Sequence, residues 1–120
     1  MNRVPTTPVT VVETPEFLRA VRGLLDDTER MALIDYRARN PTTGCIVRGT
    51  GGVRKLRWAI GSRGKRGGAR VIYFFHNGET PLFLLTVFAK SERVDLTQAD
   101  RNLYRRLTAE LVDAFSESSE

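Results

Sequence analysis

RVIYFFHNGETPLFLLTVFAK, residues 70–90, decides the fold. Val71 to Phe75 is apolar at every position, so both parities demand cover, as in a central strand buried on both faces. Asn77-Gly78 predicts a reversal, lengthened by Glu79 to Pro81. Pro81 to Lys90 is then a second apolar strand that ends on a cation. Just upstream, Leu56, Trp58 and Ile60 alternate with Lys55, Arg57 and Ala59, and this period of two predicts a strand with one apolar and one basic face. Three strands in succession favour an antiparallel meander.

Working outward, Val9 to Val12 reads as a short first strand that adds at an edge. Thr14 is a candidate N-cap with Pro15 behind it, and Phe17, Leu18, Val21, Leu24 and Leu25 recur at helical spacing. Asp26 and Glu29 have capping-box spacing and open a second helix that Asn40-Pro41 stops. After the last strand, Thr97 and Asp100 begin a helix with Leu103, Leu107 and Leu111 on one face. The expected fold is therefore α+β. It has an antiparallel sheet of about four strands, an N-terminal helical hairpin and a C-terminal helix, with the helices on the face opposite the cations. The 120 residues, 41% of them hydrophobic, suit a single domain over 1–120 with 1–8 and 116–120 as flexible termini.

The net charge of +5 is segregated. Tyr36 to Gly78 holds ten Arg or Lys and no Asp or Glu, whereas the remainder has nine basic and fourteen acidic residues. A one-sign field concentrates a polyanion, and nucleic acid is the leading partner. Cys45 is the only cysteine, no apolar run has the length of a signal peptide or membrane span, and a cytoplasmic protein with no membrane contact is expected.

Eight of the ten glycines fall between Gly44 and Gly68, yet neither nucleotide-binding glycine motif survives inspection. Arg54 stands where a dinucleotide fingerprint needs its third glycine, and Ala59 and Arg66 spoil a phosphate-binding loop around Gly64-Lys65. His76 is the only histidine and better suits a strand end than a ligand, so neither metal nor cofactor is expected. What remains is a dense set of Arg and Lys on strands and on the loop SRGKRGG, 62–68. Such cations hold successive phosphates and stack on unpaired bases. Cleaving a phosphodiester additionally needs a base, an acid and charge stabilisation at phosphorus. Like-charged neighbours disfavour an ammonium, which makes Lys55, between Arg54 and Arg57, the candidate for proton transfer. Tyr73 is either core or an aromatic contact for RNA.

The blocks GTGGVRKLR (49–57), RGKRGGARVIYFF (63–75) and LLTVFAKSE (84–92), in this order and spacing, resemble the HigB-2-like branch of the RelE/ParE toxin superfamily. The resemblance implies a RelE-type sheet and a toxin that cuts messenger RNA in the ribosomal decoding site, with the 2′-hydroxyl as nucleophile and no metal. It implies catalytic roles for Lys55, Arg57, Arg70 and Lys90, and RNA binding by Arg54, Arg63, Lys65, Arg66 and Tyr73. The implied partners are the ribosome and messenger RNA, together with a cognate DNA-binding antitoxin of HigA-like, helix-turn-helix type, through which alone the toxin reaches operator DNA. Ser91 stands where well-studied relatives have an arginine, and no tyrosine follows soon after, so the general base and acid stay open. The ParE branch, which poisons DNA gyrase, shares the fold; it and a non-catalytic RNA- or ribosome-binding module are the alternatives.

Overall fold

The computed structural model describes residues 8–60 and 68–118. Their elements run β1 (Val11–Glu13), α1 (Pro15–Val21), α2 (Asp27–Arg39), β2 (Cys45–Ile46), β3 (Val53–Trp58), β4 (Ala69–Phe74), β5 (Leu82–Ala89) and α3 (Gln98–Ser118). The strands form one mixed sheet in the order β1-β5-β4-β3-β2. β2 through β5 pair antiparallel, and β1 lies parallel to β5 at the far edge.

Local chemistry fixes the helix ends. Thr14 caps α1 by accepting from the Phe17 N–H, and Pro15 occupies the first turn. Asp26 and Glu29 form a reciprocal capping box on α2, and Thr97 and Asp100 do the same for α3.

Strand alternation divides the core in two. Val71, Tyr73, Leu82, Leu84 and Val87 face Phe17, Val21, Leu25 and Leu33 of the α1–α2 side. Val53, Ile72, Phe74, Phe83 and Leu85 face Tyr104, Leu107, Leu111 and Phe115 of α3. A register shift between Ile72 and Tyr73 lets both Leu85 and Thr86 accompany the α3 side. All eight residues of β5 are buried, Thr86 among them, as a run otherwise apolar on both parities requires.

Two expectations need correction. The sheet has five strands because the two-residue β2 pairs with Lys55 and Arg54; a segment this short carries no readable alternation. Only α1 and α2 oppose the cations. On the cation face, α3 covers one end and leaves the other open, because the apolar residues of that face stop at Val53 on β3 and give way to Lys55 and Arg57. The predicted flexibility of 1–8 and 116–120 falls largely on residues outside those described.

Candidate functional site

Lys55 and Arg57 alternate with Leu56 and Trp58 along β3, so they share the α3 face of the sheet beyond the end of α3. Arg57 lies directly opposite Arg70 on β4, and the next position across is Phe88 of β5. Lys90 immediately follows β5, anchored by its backbone N–H to the Gly68 carbonyl at 3.0 Å. Two shallow depressions result. One, of about 540 Å³, brings Lys55, Arg57 and Arg70 together with Asp95; the other, of about 200 Å³, brings Arg57, Arg70 and Lys90 together with Trp58. They meet at the two arginines.

Electrostatically this is a charged trough that does not neutralise itself. Like charges placed directly across a sheet destabilise it. Among the described residues, no carboxylate or hydrogen bond engages the side chains of Arg57, Arg70 or Lys90. Lys55 differs: its ammonium lies 3.0 Å from Asp95, which Arg101 approaches at 3.6 Å from α3. Burial by itself would raise the Asp95 carboxyl. The Leu96 backbone N–H and the Lys55 ammonium outweigh it, with Arg101 adding, and hold the group below its ordinary value. The like-charged neighbours of Lys55 are therefore offset by a carboxylate that the local sequence did not indicate, because Asp95 is 40 residues away along the chain.

Two other candidates support the trough from behind. Tyr73 is fully buried on the α1–α2 side, and its hydroxyl accepts from the Gly44 N–H at 2.9 Å. It is core, not an exposed contact for RNA, because its strand position faces the helices. Arg54 donates to the Thr42 and Gly44 carbonyls at 3.1 and 2.8 Å. Arg37, also fully buried, has its guanidinium 4.6 Å from the Tyr36 ring and 4.8 Å from the Tyr73 ring and donates to the Thr43 hydroxyl. Desolvation shifts that guanidinium downward. These three side chains tether residues 42–44, where Thr43 and Gly44 wall the larger depression. Glycine is required at 44, since a Cβ there would lie 2.9 Å from both the Lys55 carbonyl and the Tyr73 hydroxyl.

Arg63, Lys65 and Arg66 lie outside the described residues. The structure thus gathers Lys55, Arg57, Arg70 and Lys90 at one end of one face, and turns Arg54 and Tyr73 to its support. Sequence reasoning missed Asp95, which had no local signal.

Among the described residues, no helix is long and apolar enough to cross a membrane. The family model of the RelE toxin of the RelE/RelB toxin–antitoxin system matches residues 16–119. That span takes in both helical layers, the meander and every described cation of the trough, and the chain belongs to the RelE toxin family.

Proposed function

We propose that this toxin is a ribosome-dependent, metal-independent endoribonuclease that cleaves messenger RNA and so arrests translation. The observation that carries the reading is the uncompensated Arg57–Arg70 pair with Lys90 at its side. Three cations that no described carboxylate pairs with, two on neighbouring strands and one just after β5, lower stability unless a polyanion joins them. Preorganised positive charge of this kind stabilises a phosphorus centre that gains negative charge.

In the proposed reaction the ribose 2′-hydroxyl attacks the adjacent phosphorus and loses its proton, while the bond to the 5′-oxygen breaks and that oxygen is protonated. The products are a 2′,3′-cyclic phosphate and a 5′-hydroxyl, with no water consumed. Arg57 and Arg70 neutralise the charge on the non-bridging oxygens. Lys90 serves the same phosphate from the end of β5, and Lys55 positions the flanking strand. The partner that restrains this activity is a cognate antitoxin, proposed as a HigA-like DNA-binding protein.

Induction of the toxin in a bacterial host, with mapping of messenger 5′ ends, tests the proposal. The native chain is expected to arrest growth and generate cuts within translated codons, and co-expression of the antitoxin to relieve both. Arg70→Ala with Lys90→Ala is expected to reduce cleavage by at least a hundredfold, a loss consistent with removing charge stabilisation from the transition state. Arrest without new ends would replace this reading with gyrase poisoning or ribosome blockade.

A further inference from the structure

We propose that Arg48, in the β2–β3 turn, and Arg105, on α3, form a second phosphate subsite that carries a single RNA strand out of the trough and lengthens its footprint. The proposal rests on the reading of the trough as an RNA site.

One guanidinium joins the two places. Arg101 of α3 donates through one terminal nitrogen to the Arg48 carbonyl at 3.1 Å, and its other terminal nitrogen lies 3.6 Å from Asp95, the partner of Lys55. Arg48 therefore begins where the trough ends. Arg105 follows Arg101 by about one helical turn along α3, and its backbone closes on the same turn: a Cβ on Gly51 would lie 3.8 Å from the Arg105 Cα. Between the two subsites, Lys55 and Arg101 stand against the single carboxylate of Asp95, so the surface that a strand crosses keeps a net positive charge.

The fold by itself does not account for either arginine. Both are exposed, and among the described residues no carboxylate or hydrogen bond engages either side chain; only their backbone carbonyls accept, from Arg101 and Thr108. Arg101 and Arg105 are like charges at i,i+4, a spacing that destabilises a helix. Arg101 also stands in the first turn of α3, where the helix dipole disfavours a cation, while the last turn has no basic residue. Helix stability would select the opposite arrangement. A polyanion passing over the rim of the trough supplies the missing compensation. The occupant is single-stranded, because the path climbs from the sheet face onto α3 and a flexible backbone follows it where a stiff duplex does not.

The full chain is titrated with labelled single strands of 2′-O-methyl ribose, which cannot be cleaved through a 2′-hydroxyl, of about four and about ten nucleotides. Anisotropy of the label follows binding, and the parent should hold the longer strand more tightly. Arg48→Ala with Arg105→Ala should weaken the longer strand roughly tenfold, leave the shorter within about threefold, and lower the salt slope of the longer by about 1.4, at about 0.7 per phosphate contact. Arg19→Ala with Arg22→Ala removes the same charge from exposed positions on the α1 side and should change neither strand. Arg57→Ala with Arg70→Ala should weaken both lengths alike. The Arg48, Arg105 double variant should melt no lower than the parent, since like charges are relieved. Equal loss at both lengths, an unchanged longer strand, a loss matched by the α1-side control, a destabilised double variant, preference for a duplex of the same length, or no binding of either strand by the parent would each overturn the second subsite. Length-dependent loss without cellular cleavage would sink the ribonuclease reading alone. Cellular cleavage by a protein whose longer strand is untouched by the double variant would sink the subsite alone.

Discussion

Among the described residues, Asp95 is the one carboxylate lining the cation trough, and it restrains rather than completes the positive field. By holding Lys55 at 3.0 Å and Arg101 at 3.6 Å it withholds two cations from a ligand. Its folded-state carboxyl lies below the ordinary value, so the stability it confers is fully present above the unfolded value of about pH 3.9 and is lost as pH falls through the lower folded value. Asp95→Asn should therefore flatten the acid limb of stability: the gap between parent and variant in urea midpoint, present at pH 7, should close toward pH 3. At pH 7 the variant should also bind single-stranded RNA severalfold more tightly, most clearly at low salt, where freed surface charges act at longest range. A parent and variant with parallel acid limbs would show that the ion pair does not couple to folding.

At the scale of elements, α3 meets the sheet through a close approach at the β2–β3 turn. Gly51 adopts φ +78°, and the Thr108 hydroxyl donates to the Thr50 carbonyl at 3.1 Å beside it. A Cβ on Gly51 would run into Oγ1 of Thr108 while also straining a left-handed backbone. Gly51→Ala should destabilise the protein by about 2–4 kcal/mol, and Gly51→Ala with Thr108→Ala should recover part of that loss; chemical denaturation of both variants measures it. No recovery would assign the whole penalty to the backbone. How legible each element was follows from the same physics. The capping pairs Asp26–Glu29 and Thr97–Asp100 are local, and the helices start where those residues put them. The apolar runs of β4 after Arg70 and of β5, broken only by Thr86, identify strands covered on both faces. The position of α3 was not legible, because its amphipathic stripe fits either side of a sheet whose two faces are both apolar at that end. Alternation along β3 put Lys55 and Arg57 on one face, whereas Arg70 and Lys90 joined them only through the family resemblance, because pairing across strands is not written in local sequence. Tyr73 could not be assigned to a face until the register was known, and Asp95 reaches Lys55 only through tertiary folding.

The whole molecule is closed by its first strand. β1 lies parallel to β5, Thr14 donates to the Leu84 carbonyl 70 residues further on, and the trough needs β3, β4 and the residue after β5 side by side. Parallel closure over such a separation loses loop entropy before any contact compensates it. This arrangement times the assembly of the trough during synthesis. Until residue 90 has left the exit tunnel, β1 and the α1–α2 pair have no sheet to cover, and the cations of β3 have no Lys90 beside them. Nascent chains stalled with Pro81 at the tunnel mouth should be digested by a dilute protease as readily as an unfolded chain, whereas chains stalled with Ser118 exposed should resist it; early resistance would show that the helices and β3 settle by themselves. If the proposed ribonuclease reading holds, the ribosome making this chain would meet no assembled trough until Lys90 and the strands before it had emerged.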